Sequence, residues 1–164
     1  MLLTGKDYYT VDAKRRVNLP SKAVDKFLGE VAALGRQLKV ADLNFILTYG
    51  PNPCIFIDLE EIFQNQAGKI HQSYGSRATT DDEARRFYLE NFMNPSVRCD
   101  QQGRITVPQE YLDYAKIKVG EKACILSIFD HLELWSPEVL NGFINASKLT
   151  PLDRLKQFGG VVKD

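Results

Sequence analysis

Two short segments hold the residues best able to do chemistry. Asp12-Ala13-Lys14-Arg15-Arg16-Val17-Asn18-Leu19-Pro20 and Asp100-Gln101-Gln102-Gly103-Arg104-Ile105-Thr106-Val107-Pro108 share the frame Asp-x-x-x-Arg-apolar-polar-apolar-Pro at a constant offset of 88. Residue character alternates around each three-residue spacer, as it does on strands whose two faces differ. Tyr9, Val11, Val17 and Leu19 share one face, and Tyr8, Thr10, Asp12, Arg16 and Asn18 the other. In the second frame Cys99, Ile105 and Val107 point inward, with Arg98, Asp100 and Arg104 outward. Each spacer reads as a hairpin loop with Asp opposite Arg. Such a pair at least staples the hairpin mouth, for about 0.2–1 kcal/mol when exposed. The loops also offer contacts to a partner. Lys14, Arg15 and Arg16 are consecutive cations suited to phosphates, while Gln101, Gln102 and Arg104 can hydrogen-bond base edges, and a two-stranded β-ribbon fits the DNA major groove. Asp12 and Asp100 would then position the arginines. One tip neutralises few phosphates, so tight binding needs several tips, in an oligomer on a repeated double-stranded DNA site.

The elements that carry these loops also recur, which makes the chain a duplication. After each Pro comes a helical pattern, Ala23, Val24, Phe27 and Leu28 in the first copy and Tyr111, Leu112 and Ala115 in the second. A β-hairpin follows each: strands over 45–48 and 54–57 around Gly50-Pro51-Asn52-Pro53, and strands over 123–129 and 132–135 around Asp130-His131. Between Ile55 and Leu132 the offset has fallen to 77, which places 11 extra residues in the first copy, around 29–43. Asp58 is expected to cap a helix over 59–70, and Ser136-Pro137 one over 139–144. Thr80-Asp81-Asp82-Glu83 reads as a capping box for a connecting helix bearing Ala84, Phe87, Tyr88 and Phe92, which Asn94-Pro95 ends. Its acidic first turn suits the helix dipole better than a metal. From Leu149 onward the chain reads as a loosely held tail. The organisation is thus a first repeat with its helix (1–75), a connecting helix (76–95), a second repeat with its helix (96–148) and a tail (149–164).

Composition removes several function classes. The 164 residues are 44% hydrophobic and 26% charged, a globular balance, and 21 basic against 21 acidic residues exclude coating nucleic acid by bulk charge. No apolar run approaches the ~18 residues that span a bilayer, and the start lacks the apolar stretch of a secretory signal. Cys54, Cys99 and Cys124 are odd in number and widely spaced, which suits buried thiols in a reducing cytoplasm. Enzyme chemistry finds little support. His71 and His131 show no metal-ligand spacing, and no nucleophile elbow or phosphate-binding glycine loop occurs, so neither cofactor nor metal is expected. The aromatic residues fall mostly at core-periodic positions, with Trp135 expected to pack on the helix that follows it.

These motifs resemble the MraZ family. The resemblance rests on Tyr8-Tyr9 before Asp12-Ala13-Lys14-Arg15-Arg16, on Pro20, on Ala84-Arg85-Arg86-Phe87, on Cys99-Asp100-Gln101-Gln102-Gly103-Arg104 and on Leu132-Glu133-Leu134-Trp135-Ser136. It implies an α+β, β-rich fold in which two tandem AbrB-like βαββ repeats form a pseudo-symmetric swapped-hairpin β-barrel with flanking helices. It also implies ring-like homo-oligomers in the cytoplasm, associated with the nucleoid, and sequence-specific DNA binding through the Asp-x-x-x-Arg loops. The family resembles transcriptional regulators of their own division and cell-wall gene cluster, without enzyme activity. The chain departs from the pattern at Arg15, where the family's first loop carries Gly, as the second loop here does at Gly103. If that position needs φ > 0, Arg meets a steric cost that Gly does not. The departure keeps a second reading open, an antitoxin-like AbrB-type interaction module with weak or lost DNA binding.

Overall fold

The computed structural model describes residues 2–74, 80–93 and 96–160. Eight strands are present among them: β1 (Leu3–Thr10), β2 (Arg16–Asn18), β3 (Asn44–Tyr49), β4 (Ile55–Leu59), β5 (Val97–Arg98), β6 (Arg104–Thr106), β7 (Lys122–Phe129) and β8 (His131–Trp135). The helices are α1 (Ser21–Ala33), α2 (Glu60–Tyr74), α3 (Asp82–Phe92), α4 (Gln109–Tyr114), α5 (Pro137–Asn145) and α6 (Pro151–Phe158), with one 3₁₀ turn at Val40–Asp42. This is an α+β fold. It is not β-rich by residue count, because α2 and α3 are long helices outside the sheets; the strands still supply the largest single share of the core.

Sequence periodicity locates these strands but not their partners. The Asp turns do not fold β1 back on β2 as a local hairpin. β1 runs antiparallel to β7 along its whole length, from Leu3 opposite Phe129 to Thr10 opposite Lys122, while β5 joins β3 through Val97 and Phe45. β2 pairs with β6, Val17 opposite Ile105, in a separate two-stranded ribbon. The larger sheet has the order β1-β7-β8-β4-β3-β5, which reads the same from either end when β1 is exchanged with β5, β3 with β7 and β4 with β8. Strands before each turn therefore pair with the other half of the chain. Each half runs strand, strand, helix, strand, strand, since the Asp turn splits its first extended segment in two.

Apolar residues from both halves meet in one core. Val17 and Ile105 on the ribbon, Ile55, Ile57, Leu132 and Leu134 on the sheet, and Phe27 and Leu112 on the first helix of each half are all fully buried. Each such side chain stabilises the fold by about 1.5–3 kcal/mol. Phe27 meets Phe45 edge-on at 5.4 Å, and the buried Tyr111 hydroxyl donates to the Leu47 carbonyl at 3.0 Å. The extra residues of the first half lengthen α1 to 13 residues, against 6 in α4, and form the 3₁₀ turn. A smaller cluster of Cys54, Cys124, Trp135 and Leu140 lies apart, with Trp135 against Phe143 of α5 as expected.

Two local expectations need correction. Asp58 is not a helix cap: it lies in β4 and is buried, because the strand continues to Leu59, which is buried and paired with Phe45. Burial pushes its carboxyl up to about 6, with the positive field of His131 opposing. α3 is capped by Asp81 rather than Thr80, its carboxylate accepting from the Ala84 N–H at 3.0 Å, and the expected Asn94-Pro95 stop lies outside the described residues. The tail, expected to be loosely held, carries a short helix. Thr150 and Asp153 form a reciprocal capping box that starts α6, although α6 buries none of its residues. No helix among the described residues is long and apolar enough to cross a membrane.

Candidate nucleic-acid interface

Each Asp turn is built by its carboxylate. Asp12 accepts from the backbone N–H of Lys14 at 2.9 Å and of Arg16 at 2.8 Å through Oδ1, and from Arg16 Nε at 2.7 Å through Oδ2. Asp100 does the same with Gln102 (2.9 Å), Arg104 (2.9 Å) and Arg104 Nε (2.8 Å). The backbone closes each loop in the same way, Arg15 N–H donating to the Asp12 carbonyl at 2.9 Å and Gly103 N–H to that of Asp100 at 3.1 Å. Both carboxyls are held below the usual carboxylate range. For Asp12 the leading cause is the Arg16 N–H; at Asp100 burial pushes upward, and the bonds from Arg104 and Gln102 more than reverse it.

The β2–β6 pairing brings the two turns to opposite ends of one ribbon. Arg16 stands opposite Thr106, and Asn18 opposite Arg104. The intervening Val17 and Ile105 face the core, so the two arginines share the other side with the exposed Asn18 and Thr106. Diagonal positions on such a ribbon are about 7–8 Å apart. The ends are closed by matched backbone bonds of 2.8 Å, from Val107 N–H to the Arg15 carbonyl and from Leu19 N–H to that of Gly103. Each arginine is thus clamped by its carboxylate through Nε, while its terminal nitrogens make no hydrogen bond among the described residues. That arrangement presents a guanidinium fork in a fixed orientation, as bidentate recognition requires.

Of the other loop residues, Lys14, Gln101 and Gln102 are exposed, as a contact role needs. Arg15 differs from expectation. It has φ 62 where Gly103 has φ 77, so both loops use a left-handed residue at this position. Its side chain does not reach fully outward: it is half-buried, and its Nε is enclosed with no hydrogen-bond partner. Thr106 joins the same face, where its alternation with Arg104 is the sequence signal that marks it.

Sequence relatives match most of the chain. A protein of Thermoanaerobacter pseudethanolicus named "Transcriptional regulator MraZ" is 30% identical over 146 residues, covering 88% of this chain and 87% of its own length. Proteins with the same name in Caldicellulosiruptor bescii (32% identity, 82% of this chain, 81% of the relative) and Acetivibrio thermocellus (30%, 94% and 97%) extend the match. The chain belongs to the MraZ family. The family model described as "MraZ protein, putative antitoxin-like" matches residues 94–156, the part that holds the second Asp turn.

Outside the ribbon, this MraZ-family chain has one notable polar group. His131 lies in β8 rather than in a turn, with Nε2 2.9 Å from Glu133 and Nδ1 3.2 Å from Asp130, and Glu133 also accepts from Trp135 Nε1 at 2.9 Å. The Glu133 bond, opposed by burial and aided by Asp130, raises His131 to about 9. Among the described residues no group of three such side chains is arranged to hold a metal. The three cysteines are free and buried, as expected, and burial pushes Cys54 up to about 12 and Cys99 to about 11, which leaves them unreactive at neutral pH.

Proposed function

We propose that this chain is a transcriptional regulator that binds double-stranded DNA through the solvent-facing side of the β2–β6 ribbon and its two Asp turns. The observation that carries the reading is the pair of carboxylate-clamped arginines, Arg16 and Arg104, on one side of a two-stranded ribbon. Arg16 and Arg104 contact base edges, assisted by Gln101 and Gln102; Lys14 and Arg15 contact phosphates; Asp12 and Asp100 position the arginines. The names of the relatives and the resemblance of both turns support the regulatory role. The exchange of strands between the halves supports two AbrB-like repeats sharing a swapped-hairpin barrel, with domain limits of 1–75, 76–95, 96–148 and 149–164. The four cations and two carboxylates of the turns leave only two excess positive charges per chain. Tight binding therefore calls for several chains acting together, which fits a ring on repeated promoter elements, at the nucleoid, upstream of a division and cell-wall gene cluster.

The half-buried Arg15 favours a second reading, an antitoxin-like interaction module, since it withdraws one cation from phosphate contact. Binding of the purified protein to DNA upstream of its own gene, against scrambled DNA of equal length across a salt series, separates the two. The regulator gives a sequence preference and a log–log salt slope of about −0.9 per phosphate neutralised. An intact, folded assembly that shows no preference would establish the interaction module instead.

A further inference from the structure

The outer face of the β2–β6 ribbon is matched between its two strands except at one position. Asn18 and Thr106 lie 88 residues apart, the offset of the duplicated frame, and each stands opposite the arginine of the other half: Asn18 faces Arg104, and Thr106 faces Arg16. Thr suits an exposed strand, whereas Asn is among the residues that strands avoid. Local structure does not account for Asn18. Its side chain is exposed and hydrogen-bonds to none of the described residues, so it neither caps an element nor closes a loop. The place it occupies is well defined. Directly opposite residues on such a ribbon have Cβ atoms about 4.5–5.5 Å apart, so Asn18 starts beside the Arg104 side chain, whose Nε is fixed on Asp100 at 2.8 Å. Asn18, Gln101 and Gln102 also line one open depression next to the second turn. This end of the ribbon gathers amides around one arginine, while the other end carries the cations Lys14 and Arg15.

We propose that Asn18 is a specificity-determining residue that reads adenine in the DNA major groove, beside the base contacted by Arg104. The inference rests on the DNA-binding reading above and adds a residue to it. A side-chain amide offers a donor and an acceptor side by side, which matches the N7 acceptor and N6 donor on the major-groove edge of adenine. Exposure without an internal partner leaves both groups for the base, and the clamped Arg104 alongside fixes how the strand meets the groove. Thr106, at the matched place, has a single hydroxyl and cannot form that bidentate pair. The two ends of the ribbon are therefore not equivalent readers, although their backbones are.

The test is a set of competition titrations of the full-length protein with the DNA upstream of its own gene, each base pair replaced in turn, alongside scrambled DNA of equal length. The unsubstituted protein should lose about five- to a hundredfold in affinity when one particular A·T pair of the recognised element is replaced. Asn18→Thr installs the matched residue, a better strand former, and should cut that loss to about twofold or less. Losses at the other positions, affinity for scrambled DNA and thermal unfolding should stay as they were. Asn18→Ala should give the same profile, since the contact belongs to the amide. Equal weakening on target and scrambled DNA would make Asn18 a phosphate contact, and an unchanged profile would make it a bystander; either result overturns the inference, as does a preference lost at a G·C pair. Failure of the DNA-binding reading looks different: the unsubstituted protein then shows no preference for its upstream DNA, and this inference falls with it.

Discussion

The first and second Asp turns make the same set of hydrogen bonds around different residues. Arg15 and Gly103 occupy the same left-handed position, each donating to the preceding Asp carbonyl and each accepting from the opposite strand. A glycine is therefore not what makes the loop. The Asp carboxylate, tied to two backbone N–H groups and one guanidinium, dictates the turn, and the residue at φ > 0 adapts to it. Nor does space decide: a Cβ added at Gly103 meets only Val24 Cγ2, at an ordinary 3.9 Å. The difference between the turns is conformational strain, about 1–2 kcal/mol for a residue other than glycine.

Four experiments break or sharpen that equivalence. The largest effect is expected on DNA affinity, where Arg16→Ala and Arg104→Ala should each cost about 1–3 kcal/mol in a binding titration. A loss confined to Arg104→Ala would leave the first turn a structural copy only. Exchanging the odd residues should move stability in opposite directions. Gly103→Arg is expected to destabilise by about 1–2 kcal/mol in denaturant unfolding, whereas Arg15→Gly should stabilise by about 0.5–1 kcal/mol, since relieved strain outweighs the entropy glycine adds to the unfolded chain. If Arg15→Gly destabilises, the half-buried side chain holds the loop by contacts of its own.

The smallest effect is in acid. Because Asp12 and Asp100 both have lowered pKa values when folded, the stability they contribute is fully present above the unfolded value near ~3.9 and is lost as pH falls through the folded one. Thermal unfolding followed from about pH 5 to about pH 2 should steepen there, and Asp12→Asn and Asp100→Asn should each flatten the profile. Unequal flattening would show that the two clamps differ in strength.

Both turns were legible in the sequence because their bonds span four residues and follow from side-chain type. The ribbon that unites them was not, since nothing in the spacing says that Val17 faces Ile105; only the family resemblance implied an exchange between halves. Asp58 resembles a cap because it is an acidic residue just before a helix, while the burial of Leu59 two strands from β7 is a tertiary fact. The Thr150 and Asp153 box was a readable signal for α6, hidden by the few apolar residues after it.

The pairing of Leu3 with Phe129 also has a temporal side. A ribosome adds roughly 5–20 residues per second, so β1 leaves the exit tunnel on the order of ten seconds before its partner β7 is made. Throughout that interval the nascent chain carries an unpaired edge, and only local elements such as the β3–β4 hairpin can form. Closing the sheet then depends on contacts more than a hundred residues apart, which slows folding relative to a locally wired domain. A message cut between the halves would yield two polypeptides that each lack the strands they lean on, and neither could complete its sheet without the other.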